Sequence, residues 1–226
     1  MPPVDRSMTA LGALDEPTRR RLYLFVRRAG HPVTRDEASA QAGVSRKLAA
    51  FHLDRLVDAG LLIAGSRRNA REPRRGRARK TYEPSSITLD VSIPPRHYDL
   101  AGELLADAIE SCGADERPAD AALRVAFERG REIGRAARPA SRSTRALTTH
   151  EIVLLEDQGY EPVRGEGRIM LRSCPFDAIA RSAPELICSM NRALLEGALR
   201  GLGDAETEAI LEPVPGRCCV ELRATS

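Results

Sequence analysis

The sequence contains no apolar run long enough to span a membrane, and its opening, MPPVDRSMTA, lacks the hydrophobic region of a signal peptide. We therefore expect a cytoplasmic protein with no membrane partner. Cysteine is sparse and odd in number, five in 226 residues, which argues against a disulfide scaffold and fits a reducing compartment. No Cys–His pair has a recognisable catalytic spacing, which disfavours an enzyme that uses Cys174 with a histidine. We predict that the protein is not an enzyme.

Lysine is also scarce, because Lys47 and Lys80 are the only two, so arginine supplies most of the positive charge. That charge is uneven along the chain. Residues 1–84 hold 18 Arg and Lys against 9 Asp and Glu, whereas the remaining residues are acidic overall, in a chain whose net charge is +3. A basic N-terminal part attached to an acidic remainder predicts a polyanion-binding domain joined to a second domain.

The stretch from Thr34 to Gly60 predicts two helices joined by a tight turn. Thr34 and Glu37 have the spacing of a capping box, Gly43 interrupts the first helix, and Ser45 is a good N-cap for the second. Two helices joined by a short turn that contains glycine are typical of a helix-turn-helix. A surface hairpin that binds nothing is the alternative interpretation of this stretch.

The second of these helices carries the side chains expected to meet DNA in the major groove. We predict contacts to bases and phosphates from Ser45, Arg46, Lys47 and His52, and a backbone contact from Arg55. For His52, packing against the neighbouring helix is an equally open alternative.

Two short strands follow, over residues 61–64 and 80–82, and the segment between them is rich in arginine. A charge run is usually a solvated loop. Its position after a helix-turn-helix and between two strands predicts instead the wing of a winged-helix domain, which would give strongly salt-dependent binding to double-stranded DNA. The predicted wing contacts are Arg74, Arg75, Arg77, Arg79 and Lys80.

The predicted fold class is α+β. Residues 1–84 form the winged helix-turn-helix domain, residues 85–95 a linker or edge strand, and residues 96–226 an α+β sensor and dimerisation domain with antiparallel hairpins. Within this last domain, a capping box at Thr148–Glu151 predicts the start of a helix that ends near Asp157.

The cysteines of the second domain are candidate metal ligands. Cys174 is predicted at a helix start, where the dipole lowers the pKa of a thiol, and Cys188 on the next helix. Cys218 and Cys219 are predicted on a strand, where neighbours face opposite ways, so that without a bulge only one of them can face a shared centre. These are not the close-set pairs of a zinc ribbon, and buried structural thiols are an equally open interpretation. Cys112 is predicted to be a core thiol.

Two resemblances are carried by longer motifs. LGALDEPTRRRLYLFV, GVSRKLAAFHLDRLVDAGLL and RRGRARKTYEP resemble the winged-helix domain of ArsR-like bacterial transcriptional regulators. IPPRHYDLAGELLA, a helix ending in GYEP, and then CPF, PELIC, LLEGAL and PGRCCVEL resemble SufR-like regulators. Together these motifs cover most of the chain.

The resemblance implies a homodimeric repressor that binds an inverted-repeat operator and holds an iron–sulfur cluster in its C-terminal domain. Cys174 matches the CPF cysteine and Cys188 the cysteine of the following helix, while the family ending favours Cys219 over Cys218. No clear fourth thiolate is present, which leaves His97, His150 or Cys112 as candidates. Zinc is an alternative to the cluster, and so is an apolar small-molecule effector with no metal at all.

Overall fold

We describe the protein from a computed structural model that covers residues 3–67, 79–89, 91–140 and 144–225. The chain divides into two compact units, Met1–Val91 and Ser92–Ser226, and the division falls within residues 85–95. The predicted α+β class is confirmed, because each unit combines helices with an antiparallel sheet. Among the described residues, no helix combines the length and the apolar character needed to cross a membrane.

The first unit is a winged helix-turn-helix. Its elements are α1 (Pro3–Asp15), α2 (Pro17–Arg28), β1 (Val33–Thr34), α3 (Arg35–Ala42), α4 (Arg46–Asp58), β2 (Leu62–Arg67) and β3 (Arg79–Pro84). The sheet has the order β1-β3-β2, and β2 pairs with β3 from Leu62↔Pro84 to Arg67↔Arg79. The core is a cluster of fully buried apolar side chains that includes Leu22, Leu53, Leu56 and Tyr82. The helices and the sheet of this unit therefore pack around one core.

Asp15 is a plausible N-cap for α2 by residue type, but it does not cap the helix. The N-cap of α2 is Glu16, whose carboxylate accepts hydrogen bonds from the backbone N–H groups of Thr18 and Arg19 at 2.9 and 2.7 Å. Residues 85–89 and 91–95 form neither helix nor strand, so the edge-strand alternative for this segment is wrong. The sheet gains its third strand from Val33 and Thr34 instead, because they pair with Tyr82 and Thr81.

The second unit packs helices on one sheet. Its elements are α5 (Tyr98–Glu110), α6 (Pro118–Ala136), α7 (Thr144–Asp157), β4 (Pro162–Gly165), β5 (Arg168–Leu171), α8 (Asp177–Ser182), α9 (Pro184–Leu202), β6 (Thr207–Leu211) and β7 (Val220–Ala224). The sheet has the order β4-β5-β7-β6, with all neighbours antiparallel. One buried cluster lies between α5, α6 and α9, and a second lies between α9 and the sheet.

Helices α6 and α9 approach each other at backbone distance because glycines face each other across the contact. A Cβ atom built at Gly130 would lie 2.0 Å from the carbonyl oxygen of Leu194, and one built at Gly197 would lie 2.0 Å from that of Phe127. Small residues spaced four apart permit such close approach of two helices. The second unit therefore depends on these glycines for its main helix pair.

Three predicted boundaries in the second unit differ from the structure. Helix α7 begins at Thr144, one turn before the predicted capping box, so Glu151 lies inside the helix and is buried. Helix α8 begins at Asp177, which leaves Cys174 in the preceding loop. Strand β7 begins at Val220, which leaves Cys218 and Cys219 in the connection before it. The last two differences change what is expected of the thiols.

Candidate DNA interface and thiol cluster

The helix-turn-helix is closed by local hydrogen bonds. Thr34 and Glu37 form the predicted capping box at the start of α3, and Gly43 ends that helix with a left-handed φ of 64°. The Ser39 hydroxyl donates to the Val44 carbonyl at 2.6 Å across the turn. The Ser45 side chain then accepts from the Leu48 backbone N–H at 3.2 Å, which confirms it as the N-cap of α4. These contacts fix the direction in which α4 leaves the turn.

One face of α4 is exposed, and it carries most of the predicted DNA contacts on this helix. Arg46, Lys47 and Arg55 lie on it. Leu48 and Phe51 also lie on this face, although their apolar side chains would be expected in the core. Phe51 is 51% exposed, and the Arg55 guanidinium lies 5.6 Å from the centroid of its ring. Apolar side chains on a recognition helix can contact thymine methyl groups. The sequence does indicate this exposure, because Leu48 and Phe51 lie on a different helical stripe from the buried residues Ala49, Leu53 and Leu56.

His52 lies on the opposite side of α4 and is buried, at 7% exposure. Its Nδ1 atom lies 3.4 Å from the Glu16 carboxylate, which caps α2. This placement corresponds to the packing alternative and is away from the face that carries Arg46 and Arg55. The hydrogen bonds from Thr18 and Arg19, together with His52, outweigh the opposing effect of burial and lower the pKa of Glu16 to about 2. Glu16 therefore stays charged across the physiological range.

A basic groove of about 610 Å³ lies between α3, α4 and the β2–β3 hairpin, and it is lined by Thr34, Arg35, Asp36, Arg46, Gly65, Ser66, Arg79 and Lys80. Its cations meet two carboxylates. Asp36 faces Arg46 and Arg79, while Asp54 of α4 accepts from Lys80 Nζ and from the Tyr82 hydroxyl, both at 2.6 Å. The groove therefore lies between the first residue of α4 and the start of β3 at Arg79 and Lys80, where the predicted wing meets the sheet. Arg74, Arg75 and Arg77 of the predicted wing lie outside the described residues.

Comparison with known proteins gives the same assignment for this part of the chain. Residues 14–63 match the family model for the helix-turn-helix domain. This part of the chain is a helix-turn-helix domain, a kind of domain that DNA-binding transcriptional regulators contain. The match covers α2 to the start of β2 and does not reach the second unit. No curated protein matches the chain.

Three thiols in the second unit form a row, which we define as Cys174, Cys218 and Cys219. Cys174 follows β5, and the Arg96 guanidinium holds its loop by donating to the Ser173 hydroxyl at 2.9 Å and to the Cys174 carbonyl at 2.7 Å. The Cys218 N–H donates to the Leu171 carbonyl at 2.9 Å, which places Cys218 beside the end of the same strand. Pairing of β5 with β7 therefore brings distant cysteines together.

Cys218 is the central member of the row. Its sulfur contacts the thiols of both Cys174 and Cys219. It also accepts hydrogen bonds from Asn191 Nδ2 at 3.4 Å and from the Val220 N–H at 3.5 Å. The Asn191 carbonyl oxygen in turn accepts from the buried Tyr160 hydroxyl. Because the pair lies before β7, the expectation that Cys218 and Cys219 lie on a strand is wrong, and strand alternation does not decide between them.

Cys174 and Cys218 are neutral at physiological pH. The hydrogen bond with Cys218 and burial raise the pKa of the Cys174 thiol well above its usual range, which corrects the expected lowering by a helix dipole. The Cys174 contact lowers the pKa of Cys218, but the Cys219 contact and burial outweigh it and raise that pKa to about 12. Bound metal would reverse this state, because a coordinating thiol loses its proton.

The other candidate ligands lie outside the row. Cys188 is half-buried on α9, three residues before Asn191. Cys112 follows α5, and its thiol donates to the Glu116 carbonyl at 3.3 Å. His150 lies within α7, and the His97 ring lies against Gly159, where a Cβ atom would be 3.3 Å from Nε2. Within the part of the chain that the structure describes, no three His, Cys, Asp or Glu side chains converge closely enough to hold a metal ion.

The row has the donor chemistry of a soft-metal or cluster site. Sulfur ligands suit zinc and iron–sulfur clusters. N–H groups directed at a ligand sulfur are a usual way in which proteins tune a cluster, and Cys218 receives two of them. The three thiols therefore fit such a site by their chemistry and because they lie next to one another. To bind one shared metal centre, their side chains would have to rotate.

Proposed function

We propose that the protein is a homodimeric winged-helix repressor that binds an inverted-repeat operator through α4 and the β2–β3 hairpin. The observation that carries this proposal is the exposed face of α4, which carries Arg46, Lys47 and Arg55 and of which Arg46 also lines the basic groove. Phosphate contacts from such residues position a protein on DNA, and base contacts from the same helix give specificity. Two-fold symmetry of a dimer predicts half-sites about one helical turn apart.

DNA binding is tested by a mobility shift on the protein's own promoter. We expect Arg46→Ala and Arg55→Ala to weaken binding by about tenfold each, since a charge-assisted contact contributes roughly 1.5 kcal/mol. The matched control is Arg117→Ala in the second unit, where the exposed guanidinium pairs with Asp120 at 2.6 Å. Equal losses in all three variants would mean that α4 is not the DNA-binding element. A footprint with two symmetric halves, together with a dimer mass in solution, tests the inverted repeat.

We further propose that the second unit is the sensor and that Cys174, Cys188, Cys218 and Cys219 hold an iron–sulfur cluster, with zinc as the alternative metal. Support comes from the row of adjacent sulfurs and from the two N–H donors to Cys218. When bound, a cluster supplies one-electron redox chemistry, and its loss would change the affinity for the operator. In this arrangement Arg96 positions the loop of Cys174, and Asn191 orients and polarises the sulfur of Cys218.

A second candidate function is regulation by an apolar effector, with the cysteines serving as core residues. The observation that favours it is the state of the thiols themselves. Cys174 packs against both apolar clusters of the second unit, Cys218 is 2% exposed, and both have raised pKa values. Buried thiols with raised pKa values are chemically inert.

The absorption spectrum and metal content of anaerobically purified protein separate the two candidates. We expect a brown protein with broad visible absorption, and we expect Cys174→Ser and Cys218→Ser each to abolish the colour. Cys112→Ser should keep it, because that thiol is not one of the four proposed ligands and donates to the Glu116 carbonyl instead. A colourless, metal-free protein whose Cys174→Ser and Cys188→Ser variants still repress normally would contradict the sensor proposal and favour the effector.

A further inference from the structure

Asp36 occupies a place in the basic groove where a DNA phosphate would be expected. Its Oδ1 atom lies 3.0 Å from Arg46 Nε on α4, and its Oδ2 atom lies 4.0 Å from an Arg79 guanidinium nitrogen on β3. One carboxylate thus faces two cations, one on the recognition helix and one at the root of the wing. Guanidinium groups bind carboxylate and phosphate oxygens with the same fork geometry.

These three side chains are open to a partner from outside. Their exposed fractions are 48% for Asp36, 68% for Arg46 and 51% for Arg79. Exposed ion pairs are weak in water, so the pairing can break when a stronger anion arrives. The backbone of duplex DNA is such an anion, and it displaces the counterions of the cations that it meets.

Asp54 pairs with Lys80 of the groove but does not line the groove itself. It accepts from Lys80 at 2.6 Å and from the Tyr82 hydroxyl at 2.6 Å, and Arg35 lies 3.5 Å away. Tyr82 is fully buried, so this network ties the partly exposed Asp54 of α4 to a residue of the core. The hydrogen bonds from Lys80 and Tyr82 outweigh the opposing effect of burial and lower the pKa of Asp54. Asp54 therefore holds Lys80, near the start of β3, in position. Asp36 is the carboxylate that a DNA phosphate can displace.

We propose that Asp36 stands in for a DNA phosphate between Arg46 and Arg79, and that DNA binding exchanges this carboxylate for a phosphate. The proposal rests on the proposed DNA-binding function. Every DNA sequence offers phosphates, so the exchange weakens binding to all DNA by the same factor. The tethered carboxylate therefore sets the affinity of the protein for DNA of any sequence, while base contacts of α4, which form only on the operator, set the preference among sequences.

The test compares Asp36→Asn with the wild-type protein on a labelled 30-base-pair duplex of random sequence, by fluorescence anisotropy from 50 to 200 mM KCl. We expect roughly three- to tenfold tighter binding at 50 mM, which corresponds to one unit charge removed at about 5 Å from a phosphate in a largely aqueous groove. The dependence of log K on log salt should steepen by about 0.9, because the displaced Asp36 carboxylate no longer offsets one positive charge at the DNA surface.

Asp58→Asn is the matched control, since it makes the same charge change at the exposed end of α4, outside the groove. It should change binding by less than about twofold and leave the salt slope unaltered. Asp36→Glu keeps the charge and should behave like the wild type. Asp36 lies in the first turn of α3, so Asp36→Ser serves as a second neutral variant should Asn disturb the helix.

The outcomes separate the two levels of the proposal. If Asp36→Asn and Asp58→Asn tighten binding equally, the phosphate exchange is wrong, while the proposed DNA binding stands. If the wild-type protein binds no duplex DNA at any salt concentration, the proposed function itself fails. A steeper salt slope in both neutral Asp36 variants, with an unaltered slope in Asp58→Asn and Asp36→Glu, supports the exchange.

Discussion

The amide Nδ2 of Asn191 lies 3.4 Å from the sulfur of Cys218, so a buried side chain of α9 donates to the central thiol of the row. The Asn191 carbonyl oxygen is also occupied, because it accepts from the hydroxyl of fully buried Tyr160. One amide thereby satisfies two groups that water cannot reach. A buried polar network of this kind is stable when every member is paired and costly when one is removed.

Asn191→Leu should therefore destabilise the reduced protein by about 2–4 kcal/mol, since the Tyr160 hydroxyl loses its acceptor and Cys218 loses a donor. Tyr160→Phe should lose about 1 kcal/mol, because it removes a hydrogen bond but leaves no buried donor unpaired. The double variant has no tyrosine hydroxyl that could lack an acceptor. We therefore expect its loss of stability to be smaller than the sum of the losses in the two single variants. Urea denaturation measures all three free energies of unfolding, and strict additivity would mean that the two side chains do not interact.

Glu151 gives the second unit a predictable dependence on pH. Burial, followed by the hydrogen bond with Asp204, raises the pKa of Glu151 to about 8, against a nearby Arg164 that lowers it. The folded protein holds this proton between the usual pKa near 4.5 and about 8, so stability is lost as pH rises through that window. The pKa of Asp204 is lowered, so its own contribution is lost only in acid, below the range of interest.

Glu151→Gln should remove most of this dependence, because an amide can still donate to Asp204 but has no proton to lose. We expect the stability of the variant relative to that of the wild type to rise by roughly 2–3 kcal/mol between pH 6 and pH 9. Glu156→Gln, at an exposed position on the same helix, is the control and should follow the wild type. Thermal unfolding from pH 6 to 9 measures the effect, and parallel curves for all three proteins would contradict it.

The sequence was sufficient for features that are set by local rules. Thr34 with Glu37, Gly43 and Ser45 each satisfy or release backbone groups within a few residues, so the helix-turn-helix could be predicted from them. The row of thiols could not be predicted in the same way. Cys174 and Cys218 meet because β5 pairs with β7, and the position of Cys218 depends on where β7 begins. Such register is a property of the whole sheet.

The close contact of α6 and α9 could have been noticed in the sequence, because GREIG and GALRG repeat the same spacing of glycines. The reason for this spacing is visible only in the structure, where Gly130 and Gly134 contact the backbone of α9. Gly130→Ala should destabilise the protein by about 2–3 kcal/mol or prevent folding, because the new methyl group has no space.

Gly102→Ala is the matched control, since Gly102 lies in α5 and a methyl group added there would have no atom within 4 Å. Alanine is a better helix former than glycine, so this variant should gain about 0.5–1 kcal/mol. Opposite signs for the two substitutions, measured by urea denaturation, support the close packing. A loss at Gly102 comparable to that at Gly130 would show that glycine is needed for another reason.

Phe51 and Leu53 offer a direct test of which face of α4 meets DNA. Phe51 is exposed beside Arg55, whereas Leu53 is fully buried in the core of the first unit. Phe51→Ala should change stability by less than about 0.5 kcal/mol and weaken operator binding, because the ring no longer supports Arg55 or reaches a thymine methyl. Leu53→Ala should cost about 2–5 kcal/mol of stability through the cavity that it leaves. Thermal unfolding and anisotropy on promoter DNA separate the two effects; if Phe51→Ala destabilises the domain as much as Leu53→Ala and binds operator normally once folded, Phe51 belongs to the core and the exposed face is assigned wrongly.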